Sequence, residues 1–433
     1  MVAYLRNTLK FIVTALWPFL FRQPVSAHII DHVERFLLLG AALTIAKIVS
    51  TTTQIFLGRQ LGAARYGDVS MVLLVASYFA LPMTSGWGLA FIRMAAAADS
   101  TRARLQSLKA ALAIAGVASL LTLIPLIVFR QSIAAILNLD NTMMTMTIVI
   151  TVGYAWWNLS KQIAQGFQNW RIYAGIDAGW ALITLAGCLV AVYRYDGDLI
   201  PVCLFFFLGY FLSGLAPYTL IRATVGIPVL AAHLRPTVSH GIFLLFNMLV
   251  GTAAFSIDRF LIFRFLGSRE VGIYQAHFLA TYGISSALTT VAVTYIFPLF
   301  CRDQENRMYA AVKTFGRRQF PFTMLISAVL GTIILTLYDY PIAPLLFACL
   351  CVFNAFQISF QLKSYYLAGK GTRATRQVLT AQTLFLFSNM VVLLLSVGRC
   401  GILSGGLSLL AASMVSLFYL SVSEKRFVAG VSA

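Results

Sequence analysis

The sequence predicts an all-α polytopic membrane protein, with about twelve transmembrane helices in two six-helix lobes related by a parallel internal repeat around a central cavity. Three observations lead to this class. The 433-residue chain is 60% hydrophobic and only 11% charged, with a mean hydropathy of +0.84, whereas soluble domains carry roughly 25% charged residues. Apolar runs near the ~18–20 residues that cross a bilayer recur along the whole chain. A glycine-containing motif also occurs twice, at equivalent places.

The apolar runs are expected to be helices. They are apolar on all sides and lack the strict alternation of barrel strands, and a chain inside a bilayer must satisfy its backbone hydrogen bonds internally. Short connections with Gly, Pro and charged residues separate them. The twelve predicted spans lie near 36–57, 69–91, 108–129, 143–165, 173–193, 199–221, 239–263, 272–300, 318–337, 341–362, 378–397 and 401–421.

The distribution of Lys and Arg predicts the orientation. If the N-terminus is cytoplasmic, 23 of the 32 basic residues fall in cytoplasmic segments, 7 fall in outside loops and 2 lie within spans. Because Lys and Arg are enriched in cytoplasmic loops, both termini are predicted to be cytoplasmic. The same rule accounts for the net charge of +18 without nucleic acid as a partner.

The N-terminal 35 residues raise a second question of orientation. Lys10, an apolar run and the small residues Val25 to Ala27 resemble a signal peptide. Cleavage would place the new N-terminus outside and reverse every loop. An uncleaved interfacial helix is therefore predicted, with Trp17 at the membrane surface.

The repeat consists of the pattern R-x-L-G-x4-G. It joins the first two spans and, offset by 205 residues, joins the seventh and eighth. Its residues are Arg59, Leu61, Gly62 and Gly67, and then Arg264, Leu266, Gly267 and Gly272. The ends of the fourth and tenth spans also match, at offsets of 202 to 203 residues: Lys161, Gly166 and Arg171 correspond to Lys363, Gly369 and Arg373.

The repeat predicts the domain organisation. Six helices form an even number, so both lobes enter from the cytoplasm and the repeat is parallel, an arrangement typical of transporters that alternate access around a central site. The predicted segments are 1–35 (N-terminal, cytoplasmic or interfacial), 36–222 (first lobe), 223–238 (cytoplasmic linker), 239–421 (second lobe) and 422–433 (cytoplasmic tail).

Two hairpins resemble the O-antigen flippase type of polysaccharide exporters, in the multidrug/oligosaccharidyl-lipid/polysaccharide exporter superfamily. In the first hairpin, the residues that carry the resemblance are Leu57, Gly58, Arg59, Leu61, Gly62, Tyr66, Gly67, Gly88 and Arg93. In the second they are Asp258, Arg259, Leu266, Gly267, Val271, Gly272 and Tyr274.

The resemblance implies a bacterial inner-membrane flippase and not an enzyme. Its substrate would be an undecaprenyl-diphosphate-linked oligosaccharide, an O-antigen, capsule or exopolysaccharide unit, which it would move to the periplasmic leaflet. Membrane lipids are implied as further partners, together with the polymerase and export machinery, and no cofactor is implied.

The candidate site residues are charges at unusual places. Basic groups facing a hydrated cavity would replace the hydration shell of a diphosphate. Lys47 lies at the centre of the first span, where a charge costs at least ~2.5–3.5 kcal/mol, and Asp258 is the acid considered as its partner. The substrate-binding candidates are Lys47, Arg93, Lys161, Arg259 and Lys363.

Other readings of these residues stay open. Arg259 either binds phosphate or neutralises Asp258, and Asp258 is also a candidate for ion coupling. Lys161 and Lys363 either contact the headgroup or extend to the interface. Trp156 and Trp157 either stack on sugar rings or belong to an interfacial belt. The six cysteines and five histidines show no metal-ligand spacing, so no metal is predicted.

Three other functions compete with this hypothesis. A drug or cation antiporter of the same superfamily should favour carboxylates within the bundle, whereas basic residues match or exceed acidic ones here. A polyprenyl-linked glycan polymerase or ligase usually needs a large periplasmic loop, and the predicted outside loops are short. A peptidoglycan-precursor flippase typically has fourteen spans.

Overall fold

The computed structural model describes residues 27–228, 231–302, 309–369 and 372–431, so the predicted interfacial helix falls mostly outside the described residues. Within these ranges the backbone forms fifteen α-helices and a π-helical turn at Leu81–Ser85, and no strand. The helices are α1 Ala27–Ala80, α2 Gly86–Ala97, α3 Thr101–Val128, α4 Arg130–Leu137, α5 Asn141–Gly166, α6 Trp170–Tyr195, α7 Leu199–Ser213, α8 Tyr218–Arg222, α9 Ala231–Ala254, α10 Ile257–Leu266, α11 Ser268–Arg302, α12 Tyr309–Tyr338, α13 Pro344–Gly369, α14 Thr372–Cys400 and α15 Leu403–Val431.

The all-α polytopic class is confirmed. Eight helical segments in the described ranges are long and apolar enough to cross a membrane, and one of them, Ala42–Ala97, carries both the first and the second predicted span. The fourth predicted span falls on α5, which follows α4 at a bend of 108°, and the sixth falls on the shorter apolar helix α7. The eighth falls on α11. Each predicted span therefore coincides mainly with helix.

The stretch predicted to be a turn between the first two spans is helical except at one residue. Gly62 interrupts α1 with φ 70° and ψ 168°, and Gly267 separates α10 from α11 with φ 91° and ψ 179°. Residues with a Cβ rarely adopt this region of the backbone map, so glycine is required at both places. The sequence repeat is therefore also a repeat of backbone conformation.

The second glycine of each motif, Gly67 or Gly272, lies in close contact with the backbone of the other copy of the motif. A Cβ on Gly67 would overlap the carbonyl oxygen of Ser268, and a Cβ on Gly272 would overlap the carbonyl oxygen of Ala63. Ala63 and Ser268 are themselves offset by 205 residues, so the contact is reciprocal. The motif thus lets two helix starts cross backbone to backbone.

Packing divides the chain into two compact units. The first unit comprises residues 46–275, and the second comprises residues 276–433 with 1–45. In the first unit, Trp87, Phe91, Leu108 and Ile163 form a core that joins α2, α3 and α5. The lobes predicted from the sequence repeat, 36–222 and 239–421, have other boundaries than these two units. The predicted lobe boundaries stay a prediction.

Candidate functional site

The helical hairpin formed by α5 and α6 in the first unit positions the candidate site. Gln168, with φ 54°, turns the chain after α5, and the Asn169 side chain caps α6 by accepting a hydrogen bond from the Ile172 amide at 3.2 Å. On each helix, residues four apart share one face. The hairpin therefore brings the face of Trp157 and Lys161 towards that of Tyr173 and Asp177.

An ion pair joins the two helices at this point. The Lys161 ammonium lies 2.8 Å from Asp177 Oδ1 and 2.9 Å from Oδ2. The side chains are only 15% and 14% exposed. The ammonium also lies 4.4 Å from the ring centroid of Trp157 and 4.8 Å from that of Tyr173, within cation–π range. One carboxylate and two aromatic faces thus surround the Lys161 ammonium.

Lys47 shares the electrostatic environment of this pair. Burial disfavours its charged form, and within electrostatic range Asp177 attracts the charge and Lys161 repels it. Asp177 is therefore an acid within electrostatic range of Lys47, and the pairing of Lys47 with Asp258 that was considered from the sequence stays a prediction. With both lysines protonated, the cluster would hold two cations and one carboxylate, and this excess of positive charge would favour an anion.

Aromatic side chains extend the cluster on the other side of Trp157. The Trp157 ring lies 5.6 Å from the Trp180 ring, and the Trp180 ring stacks on Tyr210 at 5.4 Å with an interplanar angle of 11°. The indole N–H groups of Trp157 and Trp180 are buried and have no hydrogen-bond partner within the described ranges. Buried unsatisfied donors are rare in folded proteins, and here they lie beside the cationic cluster.

Asp258 belongs to a different cluster of the first unit. Its side chain is fully buried in the first turn of α10, where the helix dipole favours a carboxylate. The Tyr274 hydroxyl donates a hydrogen bond to Oδ2, and the Arg259 Nε lies 3.9 Å from Oδ1. Arg259 also donates to Gln275 Oε1 at 3.3 Å. The pairing with Asp258 supports the neutralising reading of Arg259.

The two remaining candidates occupy other surroundings. Arg93 is exposed on α2, a helix whose Trp87 and Phe91 belong to the core. Lys363 lies on α13 of the second unit and donates a hydrogen bond to Ser421 Oγ on α15 at 3.0 Å. The structure therefore places Lys47 within electrostatic range of Lys161, and places Arg93 and Arg259 elsewhere in the first unit.

Sequence reasoning did not predict that Asp177 pairs with Lys161. A signal was present, since the two residues flank a short turn and lie sixteen positions apart at the facing ends of two helices. In the part of the chain that the structure describes, no three His, Cys, Asp or Glu residues are grouped to hold a metal ion.

Solved structures of transporters share this fold. A lipid II flippase, MurJ, in an inward closed conformation superposes with a TM-score of 0.66 at 14% identity, covering 90% of this chain and 87% of that one. An inward-facing multidrug resistance MATE family transporter of the MOP superfamily gives 0.62 at 13%, covering 89% and 95%. A point mutant of the Vibrio cholerae MATE transporter VcmN gives 0.66 at 11%, covering 92% and 98%.

The chain thus has the fold of these transporters. No curated protein sequence matches the chain. The family model described as polysaccharide biosynthesis protein matches residues 33–304, and the chain belongs to that family.

Proposed function

We propose that this protein moves a polyprenyl-diphosphate-linked oligosaccharide across the bacterial inner membrane, from the cytoplasmic to the periplasmic leaflet, by alternating access. The family and the fold support a flippase of lipid-linked substrates. The undecaprenyl carrier and cytoplasmic termini belong to the same proposal. No bond in the substrate is broken, so the protein needs to provide a path for a charged headgroup.

The observation that carries the proposal is the cluster of Lys47, Lys161 and Asp177. A diphosphate bears about two negative charges, and the cost of taking them out of water is lowered by ammonium groups that donate charge-assisted hydrogen bonds. The two lysines supply such donors within the first unit. The indole N–H groups of Trp157 and Trp180 are further donors for phosphate or sugar oxygens. The prenyl chain stays in lipid.

An ion-coupled antiporter of the same superfamily is the second candidate, and one observation favours it. Asp258 is a fully buried carboxylate, with Arg259 and Tyr274 as its polar neighbours. A buried carboxylate of this kind is suited to take up a proton or cation during transport. Asp258 is therefore proposed as the coupling group, in either function.

Reconstituted vesicles test the proposal. We expect the purified protein to translocate a fluorescent polyprenyl-diphosphate oligosaccharide, measured as the fraction protected from a membrane-impermeant quencher. The matching polyprenyl-monophosphate glycan should move at least about tenfold more slowly, because one phosphate makes fewer contacts with the lysines. The glycan should be recovered at unchanged length, since a polymerase or ligase would lengthen or transfer it.

The same vesicles distinguish the alternatives. Uptake of a cationic dye against a proton gradient, without movement of the diphosphate lipid, would establish the antiporter and refute the flippase. If an imposed proton gradient accelerates translocation, Asp258→Asn should remove the acceleration. An equal response in the wild type and in this variant would refute the coupling role.

Asp177 is proposed to neutralise Lys161 until the substrate displaces it. Replacing Asp177 by Asn removes the competing carboxylate and leaves an amide oxygen that still accepts a hydrogen bond from the Lys161 ammonium, so the buried lysine keeps a partner. We expect the affinity for farnesyl diphosphate to rise about tenfold, equivalent to about 1.4 kcal/mol, while translocation slows because release becomes harder. Calorimetry with the detergent-purified chain measures the affinity.

Asp99→Asn is the matched control, since Asp99 is exposed between α2 and α3 and its loss changes the net charge equally. We expect this control to leave the affinity unchanged. Weaker binding by Asp177→Asn would mean that Asp177 orients Lys161 and does not compete with the substrate.

A further inference from the structure

A cavity of about 420 Å³ lies in the first unit, away from the lysine cluster. One wall is formed by α3, through Lys109, Leu112 and Ala113, and the opposite wall by α8 and the residues after it. The helices meet here because Leu220 and Ile221 pack against the core that contains Leu108 and Ala111. The cavity is open to its surroundings at Tyr218 and Val225, whose side chains are 57% and 75% exposed.

The cavity carries positive charge. Lys109 and Arg222 come from its two walls, and no acidic residue is among its lining residues. Within the described ranges, neither side chain forms an ion pair. Two cations facing one cavity without a counter-ion create a site that favours an anion, and Arg and Lys both bind phosphate oxygens.

The rest of the lining is apolar except for the hydroxyl groups of Tyr218 and Thr224, and it leads along an exposed face of α3. Leu112 and Ala113 follow Lys109 by about one helical turn. Val117, Leu121 and Ile124 continue on the same face as Ala113, at spacings of four, four and three residues, and are 58%, 71% and 57% exposed. An amphipathic molecule would thus find cations at one end and an apolar track at the other.

We propose that this cavity binds a phospholipid with an anionic headgroup. Its phosphate contacts Lys109 and Arg222, and one acyl chain lies along the exposed face of α3. The occupant is a lipid and not free phosphate, because a soluble anion leaves the apolar track uncovered. Basic recesses at the edge of membrane helices are suited to acidic lipid headgroups, and the cavity is within the size range of small-molecule sites. The inference does not depend on the proposed transport function.

Native mass spectrometry of the full chain tests the site, with dioleoyl phosphatidylglycerol as the probe against a phosphatidylcholine background. We expect the wild type to retain phosphatidylglycerol selectively, and Lys109→Ala with Arg222→Ala to lower its retention about tenfold. The exchanged variant, Lys109→Arg with Arg222→Lys, should restore it, which separates loss of binding from loss of folding.

Arg102→Ala with Arg235→Ala is the matched control, because both residues are exposed cations outside the cavity. Equal loss of lipid in this control would show general surface attraction and overturn the proposal, as would unchanged retention in the Lys109 and Arg222 variant. Competition by glycerol phosphate would indicate a soluble-anion site instead. Stronger competition by undecaprenyl diphosphate would assign the cavity to the transported lipid, and would likewise overturn it.

A second measurement uses only the wild type. A phosphatidylglycerol with a photoreactive group at the headgroup should label peptides that contain 109–113 or 218–225. Labelling confined to other peptides would contradict the site even if every variant failed to fold.

Discussion

Translocation of the diphosphate-linked glycan should fall to the level of empty vesicles when Lys161→Met is combined with Asp177→Asn. Lys161→Met alone would leave a buried carboxylate without its partner, and breaking a buried ion pair in this way costs about 3–5 kcal/mol. The double variant removes both charges and keeps the volume of both side chains. It should therefore fold, and loss of transport then reports on phosphate binding.

Lys47→Ala should likewise abolish translocation while the protein still reaches the membrane. Its loss leaves Lys161 paired with Asp177 and removes the excess positive charge of the cluster. Arg194→Met is the control for removal of a cation, because Arg194 is exposed in the last turn of α6. Wild-type rates in both lysine variants would refute the assignment of the cluster to the diphosphate. Wild-type rates in only one of them would restrict the site to the other lysine.

The folded protein should be destabilised by Gly67→Ala and by Gly272→Ala, although both residues lie within helices. Alanine is favoured over glycine in a helix by about 1 kcal/mol, so local propensity predicts the opposite sign. The added methyl group would overlap the carbonyl oxygen of Ser268 or Ala63. Separating two packed backbones costs about 1–3 kcal/mol or more. We expect Tm to fall by several degrees. Fluorescence-detected size-exclusion chromatography measures this change.

Gly116→Ala provides the comparison for this experiment. Gly116 lies within α3, and a Cβ built there meets no atom within 4 Å. Its replacement should leave Tm unchanged or raise it slightly. If Gly67→Ala and Gly272→Ala also raise Tm, the close crossing at the repeat motif is not present in the folded protein.

The fold class could be predicted from composition because few backbone structures can cross a bilayer. Long apolar runs cannot leave backbone groups unpaired in lipid, so they must be helices. The backbone conformation of the segments between the apolar runs could not be predicted from composition. The stretch around Gly62 contains glycines and charges typical of a loop, yet it is helical on both sides of a single residue. The segment after Gly62 packs against the second copy of the motif at Ser268 and Gly272. Such a contact cannot be predicted from local sequence.

For the candidate site as well, one part could be predicted from the sequence and another part could not. A lysine in mid-span is a signal that sequence alone provides, because an unsolvated charge there is costly, and Lys47 was predicted as a site residue on that ground. Its neighbours depend on which helices pack together. The sequence made Asp258 the obvious acid within a span, whereas the turn at Gln168 brings Asp177 to Lys161 and into the electrostatic range of Lys47. Asp258 lies instead with Tyr274 and Arg259.

The sequence by itself determined that this protein is an all-helical membrane protein with an internal repeat and charges buried in its spans. Hydrophobicity, the spacing of glycines and the positions of charges within apolar runs are all visible in the linear sequence. Only the tertiary structure decided which charges share a site and why the repeated glycines are needed. Ion pairing and backbone crossing act over distances of a few ångströms between residues far apart in the chain, and only packing sets those distances.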